Sequence, residues 1–366
     1  MDKISSACFV IDCPVNAMIA SFLAKQYDAV HIIYPLDPAC KDIDEYLRMY
    51  KILLDGLNVI SEDVIEIDSA LFWGKKRSSL LPIARKALKS LMTQYAEGTV
   101  YFGNCLTNPV AIVLKDYAKL NHLYHSPTDF ASVLFPKSRP IVLSFKRFAK
   151  WLFKRDNYDI EIGNYPIYSL LNFSHHKNFQ HLDICNFHSH SVQKILADFC
   201  GEIDVSKKNV MLLLAGDEPE PGDDNCSNIS KYLTPHYQAV ENLMMEDNLN
   251  DFILWVKEHK SYLPLTIEER SLLSRKLSKL GCKVRFVADY LPREYRILPG
   301  EYFIKYGKID YVISEPSSFL FNVAGSSTTP VAAVTAFAPF RTKDQVSRND
   351  EFVSINQLLE DPVRIY

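Results

Sequence analysis

Two separated runs of short apolar segments, each alternating with stretches of helical apolar spacing, constrain this chain more than any other feature. In the first run, Ala7 to Ile11 predicts a strand ending at Asp12-Cys13-Pro14, and Ala17 to Ala24 repeats apolar residues at helical intervals. Val30 to Tyr34 predicts a second strand closed by Pro35, followed by a helix over Tyr46 to Leu54. Ser78-Ser79 suits the cap of a helix that places Leu80, Leu81, Ala84, Ala87, Leu88, Leu91 and Met92 on one face and stops at Gly98. Thr99 to Phe102 and Leu120 to Tyr124 predict further strands, with a helix over Pro109 to Ala118 between them.

The pattern pauses between about 130 and 205 and then resumes. Strands are expected at Asn209 to Ala215, Phe252 to Val256, Cys282 to Val287 and Asp310 to Ser314. Helices are expected at Asn225 to Met245, Ile267 to Leu280 with a stop at Gly281, Gly300 to Tyr306, and from near Ser317. Strands that are apolar throughout need cover on both faces, which is the condition of a parallel sheet sandwiched by helices. Two such sets predict an α/β protein of two Rossmann-like domains facing a central cleft, with the carboxyl ends of the strands supplying the site. The expected division is 1–190, 191–345 and a tail, 346–366, that packs back on the first domain.

Composition narrows the classes. The 366 residues are 48% hydrophobic, which is enough for two conventional cores. Forty-one Lys plus Arg against 44 Asp plus Glu leave a net charge of −3, so no bulk positive field points to nucleic acid. The eight cysteines show no C-x-x-C pair and no zinc spacing, so reduced thiols are expected. Asp12, Pro14 and Asn16 interrupt the first apolar stretch before it reads as a signal peptide. Pro330 to Phe340 has about half of the roughly 20 residues a membrane span needs. A cytoplasmic location is expected, compatible with attachment to the inner face of a membrane. The segment 137–155 bears on this: Lys137, Arg139, Lys146, Arg147, Lys150, Lys154 and Arg155 alternate with Phe145, Phe148, Trp151, Leu152 and Phe153. Such a segment suits a helix on anionic lipid or beside an acidic acceptor, and equally a solvated helix whose aromatics enter the core.

The Walker, G-x-G-x-x-G, G-x-S-x-G and H-E-x-x-H patterns are absent. Chemistry has to be read from position. Strand Phe252 to Val256 leads to His259, and strand Asp310 to Ser314 leads to Glu315-Pro316-Ser317-Ser318 at a helix start. A helix amino terminus offers unpaired N–H groups, so Ser317 and Ser318 with His259 are candidates to hold a phosphate. Leu298-Pro299-Gly300-Glu301 sets a carboxylate at another helix start, a candidate acceptor for ribose hydroxyls. Helix caps and a surface histidine are the plain alternatives.

The order of a strand leading to a histidine, a Pro-x-Glu before a helix and a strand ending in paired serines resembles the bacterial sialyltransferases, especially the polysialyltransferase-like capsule enzymes. The resemblance covers the carboxyl-terminal half, and the amino-terminal half by element order. It implies a GT-B fold and inverting, metal-independent transfer of sialic acid, or a related acid sugar, from a CMP donor to a glycan acceptor. No cofactor is implied, because the CMP-sugar is a substrate. Donor contacts would be Gly216, His259, Glu301, Ser317 and Ser318. Two departures stand out: His259 is followed by Lys260-Ser261 where the family has proline, and the family's acidic base motif is replaced by His125-Ser126-Pro127-Thr128-Asp129.

An attacking sugar hydroxyl must lose its proton, and Asp129 and His125 are the candidates for the base. Residue type favours Asp129 and position nearer the strand end favours His125, while a plain turn accounts for both. Lys75, Lys76 and Arg77 are candidates to meet a donor or acceptor carboxylate, with surface solvation as the alternative. Two groups of metal-like residues are set aside. His175, His176, His181, His188 and His190 lack a cysteine or acid at a recognised spacing, and Asp217, Glu218, Glu220, Asp223 and Asp224 share their loop with Pro219, Pro221 and Gly222. The rival readings are a UDP-sugar transferase or epimerase of the same fold, and a noncatalytic glycan-binding protein of capsule assembly.

Overall fold

The computed structural model describes residues 5–37, 43–66, 86, 98–103, 113, 119–123, 165–173, 178–214, 225–258, 265–327, 332–337 and 343–366, with the backbone alone for 225–234, 343–345, 347 and 348. Two compact units emerge. The first comprises Met1–Ser169 and Ser174–His181, and the second Leu170–Phe173 and Leu182–Tyr366. The division therefore falls before residue 190, and the expected tail belongs to the second unit.

In the first unit, β1 (Ser6–Val10), β2 (Ala29–Leu36), β3 (Val59–Glu66), β4 (Thr99–Phe102), β5 (Lys119–Leu123), β6 (Ile167–Ser169) and β7 (Phe179–His181) form one sheet in the order β3-β2-β1-β4-β5-β6-β7. Every neighbouring pair is parallel. Its helices include α1 (Pro14–Leu23) and α2 (Ile43–Leu53). β2 is buried along its whole length, as an inner parallel strand must be. It runs through Pro35 rather than stopping there, because β1 pairs with it only as far as Ile33 and the missing N–H costs no bond on that side. β3 was not expected, since Ser61-Glu62-Asp63 reads as polar loop; as the sheet's edge it buries only part of one face, where Asp63 is half-buried beside Ile65, and it exposes Glu62 and Glu66 on the other. Phe9 stacks on Tyr101 across β1 and β4 with centroids 4.6 Å apart, and this pair anchors the core.

The second unit opens with α3 (His190–Ile195) and α4 (Ala197–Gly201). There follow β8 (Asn209–Leu214), α5 (Asn225–Glu246), β9 (Ile253–Glu258), α6 (Ile267–Leu277), β10 (Lys283–Phe286), α7 (Gly300–Gly307), β11 (Tyr311–Ser314), α8 (Ser318–Ala324), β12 (Ala332–Thr335), α9 (Lys343–Asn356) and β13 (Arg364–Ile365). The sheet order is β10-β9-β8-β11-β12-β13, again all parallel. Counted from β8 this is the Rossmann order 3-2-1-4-5-6. The local signals behave as their chemistry requires. Thr266 and Glu269 close a capping box on α6, and the chain leaves that helix through a tight turn into Gly281 at φ +75°. Part of the small-apolar segment near residue 330 is the buried strand β12, and no helix among the described residues is long and apolar enough to cross a membrane. The tail forms α9 and β13, and β13 pairs with β12, so it completes the second sheet.

Candidate functional site

In an open parallel sheet the ligand crevice lies outside the carboxyl ends of the strands, where the strand order reverses direction. In the second unit that point lies between β8 and β11. β11 ends at Ser314 and delivers Glu315, Pro316, Ser317 and Ser318 there. Ser317 is the N-cap of α8, in extended conformation, but its hydroxyl makes no capping bond and instead reaches Ser314 Oγ at 3.5 Å. Ser317 and Ser318 are both half-buried. Gly216 and His259, expected just beyond β8 and β9, lie outside the described residues, as do Lys75, Lys76, Arg77, His125, Asp129 and the segment 137–155.

Glu301, the candidate ribose contact, has a buried side chain, at 2% exposure. Asn322 Nδ2 on α8 donates to its Oε1 at 2.7 Å, joining the start of α7 to α8. One residue earlier, a Cβ on Gly300 would stand 2.6 Å from the Phe319 ring, so only glycine permits this approach of the two helices. Glu301 thus holds the helix that carries Ser317 and Ser318, and the carboxylate is committed to the interior because its partners are there.

A buried cation feels the Glu301 charge without an ion pair to it among the described residues. Lys257, the fifth residue of β9, is buried, and its Nζ donates to the Glu258 and Arg296 carbonyls, each at 3.4 Å. The Phe303 ring centroid is 5.3 Å from it. Loss of hydration brings the ammonium down to about 8, against the opposing pull of Glu301 and Glu258. Burial also raises the Glu258 carboxyl, in spite of Arg270, whose guanidinium is 3.5 Å from its Oε1. Lys257 and Glu258 went unnoticed in the sequence because they look like the polar end of a strand.

The first unit has its own reversal point, between β1 and β4. Asp12, half-buried, follows β1, and Asn16 Nδ2 on the first turn of α1 donates to Asp12 Oδ1 at 2.8 Å. Asn16 is 0% exposed, and its Oδ1 has no hydrogen-bond partner among the described residues. Gly103, just beyond β4, faces this pair: a Cβ there would fall 2.2 Å from Asn16 Nδ2 and 3.4 Å from Asp12 Oδ1. Asp12-Cys13-Pro14 was legible as a strand end, but nothing local announces Gly103 as its neighbour. His125 and Asp129 follow β5, the next strand along the same carboxyl edge.

Of the histidines, His181 ends β7 in the first unit, and His188 and His190 belong to the second. All three are exposed, and His188 Nε2 is 3.4 Å from Lys305 Nζ. No group of three His, Cys, Asp or Glu side chains suited to a metal ion occurs among the described residues.

No family model matches the chain, and no curated protein matches it in sequence. Among solved structures it is similar over 99% of its length to a UDP-N-acetylglucosamine 2-epimerase, covering 89% of that chain at 12% identity with a TM-score of 0.44. It is similar over 99% to a glycosyltransferase from Rickettsia africae ESF-5, covering 91% of that chain at 14% identity and a TM-score of 0.45. A UDP-glucosyltransferase from Polygonum tinctorium is likewise similar, with 99% and 85% covered, 9% identity and a TM-score of 0.47. At these identities and TM-scores, substrate and chemistry have to be read from this chain's own residues.

Proposed function

We propose that this chain is an inverting glycosyltransferase of GT-B architecture, transferring sialic acid or a related acid sugar from a CMP donor to a glycan acceptor in bacterial surface polysaccharide synthesis. The observation that carries the reading is the pair Ser317-Ser318 at the reversal point of a sheet in Rossmann order, with the Ser317 hydroxyl unused by its own helix. A nucleotide phosphate at that point would accept from both hydroxyls and from His259. Departure of CMP builds negative charge on this phosphate, and donors fixed beforehand stabilise the transition state more than the ground state. The resemblance of the motif order Phe252–His259, Pro299-Gly300-Glu301, Asp310–Ser318 to the bacterial sialyltransferases supports CMP as the nucleotide. Gly216 is proposed beside the cytidine and ribose, with Glu301 acting through Asn322 as a positioning residue. Lys75, Lys76 and Arg77 are proposed to meet a substrate carboxylate, and 137–155 an anionic glycan or membrane surface on the cytoplasmic side. No metal is assigned a role.

Calorimetric titration with CMP, CDP and UDP, with and without EDTA, tests this. CMP-selective, EDTA-insensitive binding that His259→Ala weakens is the expected result. Preference for UDP would favour a UDP-sugar transferase or epimerase, and absence of nucleotide binding a noncatalytic glycan-binding protein.

A further inference from the structure

The second unit carries an open groove of about 690 Å³ that the donor reading leaves unused, a volume inside the roughly 300–1,000 Å³ range of small-molecule sites. Asp198, Gly201 and Glu202, on or just after α4, line one wall, and Asp289 and Tyr290, which follow β10, line the other. β10 is the edge strand of its sheet, two places from β8, so the groove is not the reversal point between β8 and β11. Two of its acceptors are held in place from behind. Arg285 Nη1 donates to Glu202 Oε2 at 2.7 Å, and the same guanidinium lies 5.2 Å from the Trp255 ring centroid. Arg270 Nη1 donates to Asp289 Oδ1 at 2.5 Å. Each bond engages one carboxylate oxygen and leaves the other able to accept from a ligand. The Tyr290 ring is fixed edge-on against the buried Trp255, with centroids 5.6 Å apart. A Cβ on Gly201 would meet nothing within 4 Å, so the space between the walls is open.

We propose that this groove is a binding site for a neutral glycan, whose hydroxyls donate to Asp198, Glu202 and Asp289 while a sugar ring lies against Tyr290. The charge balance selects the class of ligand. The two arginines compensate Glu202 and Asp289, and Asp198 makes no hydrogen bond or ion pair among the described residues, so the lining holds a single uncompensated charge. An anionic chain would meet that carboxylate, and a polycation would find only the one. Sugar hydroxyls need acceptors fixed in direction rather than net charge, and acceptors already fixed by the fold spare the ligand the cost of ordering them. The C–H face of a sugar ring in turn needs a flat apolar surface, which an immobilised tyrosine supplies. The groove stands on its own geometry and does not rest on the transferase reading.

The test titrates the full chain with maltotriose, mannotriose, galactotriose, N,N′,N″-triacetylchitotriose and spermidine, read by saturation-transfer NMR and calorimetry. At least one trisaccharide is expected to bind, and spermidine is not. Asp198→Ala breaks no bond among the described residues and is expected to weaken that trisaccharide by about tenfold or more, the worth of one hydrogen bond to a charged group. Gly201→Trp fills the space between the walls and is expected to abolish binding, whereas Gly201→Ala, whose methyl meets nothing, is expected to bind as wild type does. Should Gly201→Trp fail to fold, Asp198→Ala still decides the matter. Absence of binding by all four trisaccharides overturns the proposal, and spermidine binding in their place marks a cation site instead. Trisaccharide binding that Asp198→Ala leaves unchanged overturns it as well, because the sugar then sits elsewhere. CMP titration of the same samples is read separately: a wild-type protein that binds a trisaccharide and no CMP sinks the donor reading and leaves the groove intact.

Discussion

Asn322 donates to Glu301 at 2.7 Å, and this bond between two buried side chains ties the helix after β11 to the helix before it. Through it, a carboxylate that looks like a ligand contact in the sequence becomes part of the support under Ser317 and Ser318. Lys257 supplies the opposing charge from β9.

Removing one member of this network leaves a buried charge without compensation. Lys257→Met is expected to lower the unfolding free energy by about 3–5 kcal/mol, and the double variant Lys257→Met/Glu301→Gln to recover most of that loss. Urea unfolding of the three proteins measures both, and an additive double variant would show that Lys257 and Glu301 do not interact.

The same lysine sets a pH window. Its folded-state value, about 8, lies below the ordinary 10.5, so between these values the unfolded chain holds a proton that the folded chain has released. Stability therefore rises with pH across that interval, and below it both states are protonated and the burial cost is constant. The difference in unfolding free energy between wild type and Lys257→Met, followed from pH 7 upward, is expected to shift in favour of wild type. A flat difference would exclude burial of the ammonium.

Gly300→Ala forces a methyl to 2.6 Å from the Phe319 ring. A loss of about 1–3 kcal/mol is expected, with weakened nucleotide binding because α8 moves with Phe319. Adding Phe319→Leu removes the obstructing ring atoms, and chemical denaturation should show the pair less destabilised than the sum of the single variants.

Ser317→Ala and Ser318→Ala test the phosphate site without touching a core. A hydrogen bond to a charged phosphate contributes about 1.5–3 kcal/mol, so each variant is expected to weaken CMP binding by about tenfold or more with its thermal midpoint unchanged. Unchanged CMP affinity in both would place the phosphate elsewhere.

Much of the secondary structure was legible because its causes are local. The apolar runs at Ala7 to Ile11, Asn209 to Leu214 and Ile253 to Val256 became strands, and Gly281 stopped a helix where only glycine takes φ +75° comfortably. β3 and β13 were missed for the same reason inverted. Val59–Glu66 is half acidic or hydroxylic, and Arg364–Ile365 is two residues long, so neither carries a signal of its own. Each exists because a neighbouring strand presents an edge for it to join.

The site divides along the same line. Residue order alone determined that Ser317 and Ser318 follow a strand and begin a helix, and that Asp12 ends one, because alternation and capping act over a few residues. Only the tertiary structure decided that β1 lies beside β4, which sets Gly103 against Asn16, and that Glu301 turns inward to Asn322. Strand order and burial depend on which distant segments pair and cover one another, and no local periodicity encodes that choice.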